Sequence, residues 1–341
     1  WKFIDWLPAE NPIDIDTAPI TYKSEGFGKE LGLPELYISF SGYWPEREAR
    51  IRTCSFKELE AAATFPRLTE RSKKIPVIPS AGNTGRAFAH ISYLTGSPVV
   101  VLVPKQYVFR MWSVVEPTPT CLLISVEGDY TDTIKLGERI ASLEGMVFEG
   151  GVRNVARRDG MGTLLLDSIL TIGRLPDHYF QAVGSGVGAI AVFEASKRVL
   201  NDGRFGKKLP RLHLSQNIPF APMFRAWRAG RKEIVPDVDL PNAGDAIENM
   251  YASVLSNRNP PYSLRGGVYD VLHETGGEMY GITNEEAVNA EKLFEGVEGI
   301  DLDPAASVCV ASLLQAVEMG KVGKDEKVLL NISGGGYDRV K

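Results

Sequence analysis

Three short stretches of the sequence combine polar or reactive side chains with small residues. They read RTCSFKELEA at residues 52–61, SAGNTG at 80–85 and GSGVGA at 184–189. In the first, Lys57 stands where an irregular segment passes into a helical pattern, and a lysine amine can act as a nucleophile or as a base. Most helical lysines are solvated surface charges, so the chemical interpretation of Lys57 depends on whether the other two stretches lie beside it.

The stretch GSGVGA is typical of a loop that binds a phosphate group. Its glycines, Gly184, Gly186 and Gly188, let the backbone approach an anion, and the free N–H groups of a helix start would hold that anion. The spacing also fits the dinucleotide fingerprint, which keeps a nicotinamide-dependent oxidoreductase open as an alternative. That alternative requires an acidic residue about 20 positions on, and the predicted strand RLHLSQN at 211–217 contains none. A tight strand-to-helix turn would also explain the glycines.

Further polar groups stand in SAGNTG and after the last apolar run. SAGNTG offers the amide of Asn83 and the hydroxyls of Ser80 and Thr84, although a helix cap would use the same residues. Another hydroxyl, Ser333, follows the run VLLNI. If these groups meet Lys57, they supply a phosphate cradle, polar contacts and a Schiff-base amine. Together they predict a site for pyridoxal phosphate.

Alternating apolar runs and helical patterns must position these groups. The runs IPVIP at 75–79 and SPVVVLVP at 97–104 flank one helical pattern, and HYFQAV at 178–183 and RLHLSQN at 211–217 flank another. EKVLLNIS at 326–333 is a further buried strand. This alternation predicts an α/β fold with mostly parallel twisted sheets flanked by helices. Ligands of such sheets bind beyond the carboxyl ends of the strands, where the glycine-rich loops fall.

Length and charge narrow the class of protein. A chain of 341 residues exceeds the usual size of one hydrophobic core, so two domains and a ligand cleft between them are expected. The formal net charge is −5, with both signs interspersed, which predicts no nucleic-acid or membrane partner and favours small-molecule substrates. The loop NRNPPYSLRGG at 257–267 is long enough to act as a lid.

The number of cysteines and the lengths of the apolar runs indicate the cellular compartment of the protein. Cys54, Cys121 and Cys309 are widely spaced and odd in number, which argues against a disulfide framework and against a protein-ligated metal. The apolar runs are too short to span a bilayer, and no secretory signal is recognised. We therefore expect a cytoplasmic protein without a bound metal.

In order along the chain, these segments resemble the fold-type II, tryptophan synthase β-like pyridoxal phosphate enzymes, and among them the threonine synthase-like group. TCSFKELEA resembles the lysine segment, SAGNTG the asparagine loop, GSGVGAI the phosphate loop, NVARRDGMGT (154–163) the segment after the small domain, and LLNISGGGYDR the segment that contacts the pyridine ring. The family's lysine segment usually reads GSFKDRG, so Cys54 here replaces a glycine and Glu58 an aspartate.

The resemblance implies a role for each matching residue. Lys57 would bind the cofactor covalently, Asn83 would hydrogen-bond the ring hydroxyl and Ser333 would face the pyridine nitrogen. The phosphate would be bound mainly by backbone N–H groups of Gly184, Ser185, Gly186, Val187 and Gly188. It also implies a smaller domain at 35–152, with the lysine and asparagine segments, and a larger one from 1–34 plus 153–341, with the cofactor in the cleft between them.

Longer segments resemble one subgroup of this family. They are FSGYWPEREARIRTCSFKELEA, EGGVRNVARRDGMGT, PDHYFQAVGSGVG and NRNPPYSLRGG. The subgroup makes L-cysteate and phosphate from O-phospho-L-serine and sulfite, a step toward coenzyme M in some archaea. Threonine synthesis from O-phospho-L-homoserine and water remains an alternative, as does a non-catalytic relative, which the joint presence of Lys57, Asn83, the glycine loop and Ser333 disfavours. Relatives associate, so we expect a homo-oligomer.

The subgroup's substrates and products are oxyanions, which arginine binds well. Arg52, Arg86, Arg110 and Arg157 are the candidates, with Arg86 foremost because it directly follows the asparagine loop. The resemblance also implies that Ser80, Thr84 and the N–H groups between them bind the carboxylate of the amino acid.

Overall fold

Two main sheets and a short ribbon form the framework of the computed structural model, which describes residues 2–340. Numbered along the chain, the strands are β1 (Ile20–Lys23), β2 (Leu36–Phe40), β3 (Tyr43–Trp44), β4 (Ala49–Arg50), β5 (Ile75–Pro79), β6 (Val99–Pro104), β7 (Cys121–Val126), β8 (Met146–Phe148), β9 (His178–Ala182), β10 (Arg211–Asn217), β11 (Glu278–Ile282) and β12 (Val328–Ile332). The larger sheet has the order β1-β2-β12-β9-β10-β11, the smaller has β7-β6-β5-β8, and β3 pairs with β4.

Helices cover both sheets. They are α1 (Gly26–Glu30), α2 (Lys57–Ser72), α3 (Asn83–Thr95), α4 (Tyr130–Ala141), α5 (Val155–Ile172), α6 (Val187–Asp202), α7 (Pro222–Arg228), α8 (Pro236–Asp239), α9 (Ala243–Glu248), α10 (Val268–Thr275), α11 (Asn284–Glu298), α12 (Pro304–Glu318) and α13 (Tyr337–Val340). Short 3-10 helices lie at Ile4–Trp6, Pro45–Arg47, Lys105–Arg110, Gly151–Arg153 and Ser253–Leu255.

The strand directions confirm the predicted α/β class. All pairs of the smaller sheet are parallel, and in the larger sheet only β1 runs antiparallel to its neighbour. Every residue of β6 and of β9 is buried, as expected for parallel strands covered on both faces. Successive residues of β9 point to opposite faces, and Tyr179 and Phe180 accordingly belong to different hydrophobic clusters.

The predicted strand-helix-strand units are present. β5, α3 and β6 form the first, and β9, α6 and β10 form the second. Both are parallel pairs with the helix as the crossover, so the loops before α3 and before α6 lie at carboxyl ends of strands. The segment 257–267 contains no helix or strand, while its role as a lid stays a prediction.

The two sheets do not by themselves test the predicted domains. Strands between residues 75 and 148 form the smaller sheet, which lies within the predicted domain of 35–152. However, β2 falls inside the same predicted range and pairs with β12 in the larger sheet. The boundaries near 35 and 152 therefore stay a prediction.

Two features are absent from residues 2–340. None of the helices there has the length and apolar character needed to cross a lipid bilayer. In the same part of the chain, no three His, Cys, Asp or Glu side chains are grouped so that they could hold a metal ion.

Candidate active site

A cavity lies between the segments that the sequence singled out. Its walls come from the lysine segment, the asparagine loop, the glycine loop and the end of β12. Among the residues that line it are Ser55, Phe56, Lys57, Ser80, Asn83, Thr84, Tyr130, Arg157, Gln181, Gly184, Ser185, Gly186, Gly188, Ser256, Asn257 and Ser333. The structure therefore brings together the residues predicted to bind a cofactor, apart from Val187, which is buried in the first turn of α6.

The position of Lys57 is set by contacts with the end of β12. The N–H of Phe56 donates to the carbonyl of Ser333 at 3.0 Å, and Ser55 forms a bridge with Gly334. A Cβ at Gly334 would lie 2.5 Å from the carbonyl oxygen of Cys54, so only glycine permits this approach. The helix α2 then begins at Lys57, as the sequence predicted, with the lysine amine in the cavity.

The glycine loop has the geometry of an anion cradle. α6 begins at Val187, so the N–H groups of its first turn have no partner within the helix. Gly186 has φ +80° and a Cβ there would lie 2.3 Å from Val268 Cγ2, which excludes a side chain on two grounds. The backbone of this loop lines the cavity directly, where its N–H groups and the helix dipole favour negative charge.

The asparagine loop is fixed by its own side chains. Ser80 Oγ accepts from the N–H of Gly82 at 3.0 Å and from the N–H of Gly85 at 2.8 Å. Asn83, the first residue of α3, accepts with Oδ1 from Arg86 Nη2 at 2.9 Å. The amide nitrogen of Asn83 is thereby left as a donor for the cavity. The predicted contact of Ser80 and Thr84 with a substrate carboxylate stays a prediction.

Arg86 lies behind Asn83 rather than in the central cavity. Its guanidinium is buried, donates to the carbonyl of Thr53 at 2.8 and 3.1 Å, and lies 4.3 Å from the ring centroid of Trp112. It also donates to the carbonyl of Arg110 at 3.0 Å. Arg86 and Arg110 line an adjoining cavity that shares Asn83 with the central one.

The other two arginine candidates differ from the expectation. Arg52 is exposed, and its guanidinium lies 6.0 Å from the ring centroid of Tyr43. It lines neither cavity, so the structure does not place it in the candidate site. Arg157 lines the central cavity but is held by two carboxylates. Its Nη2 lies 3.0 Å from Glu60 Oε1, and its Nη1 donates to Glu149 Oε2 at 2.7 Å.

Lys57, Glu60, Arg157 and Glu149 form one charged network, in which both carboxylates are buried and both cations are partly buried. Lys57 Nζ donates to Glu60 Oε2 at 3.0 Å, and Glu60 is fully buried. Burial lowers the pKa of Lys57, and the negative charge of Glu60 opposes that shift. Burial also lowers the pKa of Arg157, but the carboxylates of Glu149 and Glu60 outweigh it and raise that pKa. The pKa of Glu149 is raised, mainly by burial.

Sequence reasoning missed three residues at or behind this wall. Tyr130 lines the cavity, and Glu60 and Glu149 contact the lining residues Lys57 and Arg157. Glu60 stands three residues after Lys57, which on a helix places both on one face, so its spacing was a usable signal. Glu149 follows β8 and Tyr130 begins α4, and neither position carries a local motif. Packing of the smaller sheet and its helices brings Tyr130 to the cavity and Glu149 to Arg157.

Comparisons with known proteins identify the family. The profile of the family described as pyridoxal-phosphate dependent enzyme matches residues 19–334. The chain belongs to this family. This confirms pyridoxal phosphate as the predicted cofactor and rejects the alternative of a nicotinamide-dependent oxidoreductase.

The chain is similar to proteins named cysteate synthase. One from Methanosarcina barkeri is 57% identical over 100% of this chain and 82% of the relative. One from Methanoculleus marisnigri is 57% identical over 100% of this chain and 79% of the relative. Among solved structures, a pyridoxal 5'-phosphate-dependent aspartate racemase superposes with a TM-score of 0.72 at 18% identity, covering 96% of this chain and 92% of the other. At that identity the superposition shows the fold alone, which agrees with the predicted fold type.

Proposed function

We propose that this protein is a cysteate synthase, which replaces the phosphate of O-phospho-L-serine by sulfite to give L-cysteate and phosphate. The observation that carries the enzymatic part is the Lys57 amine in one cavity with the glycine loop, Asn83 and Ser333. The choice of reaction is supported by relatives of that name at 57% identity over the whole of this chain.

The residues of the cavity fit pyridoxal phosphate. Lys57 Nζ would hold it covalently, and the N–H groups of the glycine loop would hold its phosphate. The free amide nitrogen of Asn83 would donate to the ring oxygen, and the hydroxyl of Ser333 would face the ring nitrogen. When bound, the cofactor supplies an electron sink that acidifies the α-carbon of the amino acid. A neutral hydroxyl at Ser333 favours elimination at the β-carbon over transamination.

Lys57 also performs the proton transfer. As a free, neutral amine, Lys57 Nζ would take the proton from the α-carbon of phosphoserine. The bond from the β-carbon to the phosphate oxygen breaks, and phosphate leaves with the electron pair of that bond. The sulfur of sulfite then forms a bond to the β-carbon, and Lys57 returns a proton to the α-carbon.

We assign the binding of the oxyanions to arginines of the adjoining cavity. The side chain of Arg110 donates to the carbonyl of Ala81 at 2.8 Å and to Ser253 Oγ at 2.7 Å. Burial lowers the pKa of Arg110, as expected for a cation that contacts neutral oxygens. Arg157 is already paired with two carboxylates. We therefore assign sulfite or phosphate binding to Arg110, supported by Arg86 behind it, in preference to Arg157.

One assay separates the candidate reactions. The holoenzyme is incubated with O-phospho-L-serine, with and without sulfite, while phosphate and cysteate are measured. Phosphate and cysteate formed in equal amounts, and only with sulfite present, support the proposal. Phosphate release from O-phospho-L-homoserine in its place would instead identify threonine synthesis.

Two further expectations belong to the same proposal. We infer that the protein acts in the cytoplasm and as a homo-oligomer. Light scattering of the purified holoenzyme measures its mass in solution, and a mass of 37.4 kDa, that of a single chain, would contradict the second expectation.

A further inference from the structure

Glu60 is the one carboxylate that contacts the Lys57 amine among the residues that the structure describes. Lys57 Nζ donates to its Oε2 at 3.0 Å, and the two residues form an i,i+3 pair in the first turn of α2. The side chain of Glu60 is completely inaccessible to solvent. The function proposed above assigns this carboxylate no role.

The other oxygen of Glu60 is anchored from the opposite side. Glu60 Oε1 lies 3.0 Å from Arg157 Nη2, and Arg157 is itself held by Glu149. These contacts come from α5 and from the residue after β8, so the carboxylate of Glu60 is fixed by elements outside its own helix. A fixed carboxylate next to a lysine amine restricts where that amine can lie.

We propose that Glu60 is a positioning residue that holds the Nζ of Lys57 and stabilises its protonated form during the reaction. This inference rests on the proposed function, because the proton transfer belongs to that reaction. The contact between Lys57 and Glu60 does not depend on which reaction the enzyme catalyses. A buried amine is a good base because it is neutral, but the ammonium that forms when it takes a proton is disfavoured by burial. An adjacent carboxylate offsets that cost.

The step balances in protons and charge. The C–H bond at the α-carbon breaks as an N–H bond forms at Lys57, whose amine becomes ammonium, while Glu60 remains a carboxylate throughout. When the product forms, the same N–H bond breaks and the α-carbon recovers a proton. Glu60 thus holds the charged Lys57 between the loss of phosphate and the addition of sulfite.

Other groups near Lys57 have different effects. The positive charge of Arg157 lowers the pKa of Lys57 and the negative charge of Glu149 raises it, and both effects are smaller than that of the Glu60 charge. Tyr130, at the start of α4, lines the same cavity, and Met161 Sδ lies 3.7 Å from Nζ. Glu58 is also buried but faces away, because its Oε2 accepts from the N–H of Thr53 at 2.8 Å.

The test compares Glu60→Gln with Glu58→Gln, which removes a neighbouring buried charge that does not face Lys57. The first readout is a pH titration of the visible absorbance of the holoenzyme without substrate. The second is the pH profile of kcat. Because Glu60 favours the protonated nitrogen, Glu60→Gln should move both midpoints to lower pH by about one to three units. Glu58→Gln should leave both in place.

Glu60→Asp and thermal melting keep the test decisive if Glu60→Gln folds poorly. Glu60→Asp keeps the charge, so its midpoints should return most of the way to those of the unchanged protein. Unshifted midpoints in a folded Glu60→Gln protein, or equal shifts in Glu58→Gln, would overturn the proposal. The absorbance titration needs no substrate, so it remains informative even if the phosphoserine assay fails.

Discussion

Two buried polar networks of this protein differ in how completely their groups are satisfied. At the carboxyl ends of the strands, Lys57 Nζ faces an open cavity with one carboxylate contact, and Arg157 Nε has no hydrogen-bond partner among residues 2–340. Nearer the amino ends, His178 and His213 share a hydrogen bond of 2.8 Å. His213 also contacts the hydroxyl of Tyr280 at 2.8 Å, and His178 contacts Glu326 at 2.9 Å.

The difference separates a reactive region from a structural one. All four ring nitrogens of the histidine pair are used, and burial lowers the pKa of His213 to about 3, so its ring stays neutral. Such a chain adds specificity to the packing between strands. The lysine network instead places charged groups with shifted pKa values at the wall of a cavity, an arrangement typical of functional sites.

The largest expected effect comes from removing the reactive amine. Lys57→Ala should lower kcat by more than about 100-fold, because both the covalent cofactor contact and the base are lost. Phosphate release from phosphoserine with sulfite measures it. Lys197→Ala is the matched control, since Lys197 is a half-exposed lysine paired with Glu274 and should leave kcat unchanged. Comparable activity in both variants would remove Lys57 from the mechanism.

Arg86→Ala should have the next largest effect. It removes the donor that orients Asn83 and leaves the carbonyls of Thr53 and Arg110 without their partner. We expect kcat/KM for phosphoserine to fall by about 10- to 100-fold and the melting temperature to drop. Arg86→Lys keeps the charge but lacks the planar fork, and it should recover only part of the loss. Unchanged steady-state constants would place Arg86 outside the site.

The histidine network should affect stability with pH rather than catalysis. The folded pKa of His213 is about 3, below its ordinary value of 6.5, so the unfolded chain binds a proton that the folded protein does not. The free energy of unfolding should therefore fall as pH drops from about 6.5 toward 3, by up to about 1.4 kcal/mol per pH unit. Urea titrations of His213→Gln should show a shallower dependence, with kcat within about twofold. An equal slope in both proteins would contradict the assignment.

The smallest effect is expected at Cys54. This residue has φ +52°, a conformation that favours glycine, and its thiol is buried with its pKa raised to about 12. Cys54→Gly relieves backbone strain of about 1 kcal/mol and loses a small buried side chain, so the two changes largely cancel. Activity should persist and the free energy of unfolding should change by less than about 1 kcal/mol. Loss of activity in the folded variant would show a chemical role for the thiol.

The sequence predicted the family, the cofactor and the α/β class, and all three are confirmed. The α/β class followed from continuous apolar strands and the cofactor from the binding groups at the ends of those strands. The family followed from the resemblance of whole segments. The roles of Lys57, Asn83, the glycine loop and Ser333 stay predictions that the shared cavity supports.

Local patterns could not predict what tertiary packing decides. Arg52 and Arg157 both lie in segments that resemble the family, yet one is exposed and the other is paired with Glu60 and Glu149. The arrangement of the smaller sheet with its helices brings Tyr130 to the cavity and Glu149 to Arg157. Counter-charges of this kind leave no signature in the sequence, apart from the i,i+3 spacing of Lys57 and Glu60.

The contact of the Phe56 N–H with the carbonyl of Ser333 also has a consequence for biosynthesis. The ribosome delivers the lysine segment long before the end of β12. The walls of the cavity therefore meet only after translation has passed Gly334. A nascent chain halted before β12 would therefore carry Lys57 without the site that makes it reactive.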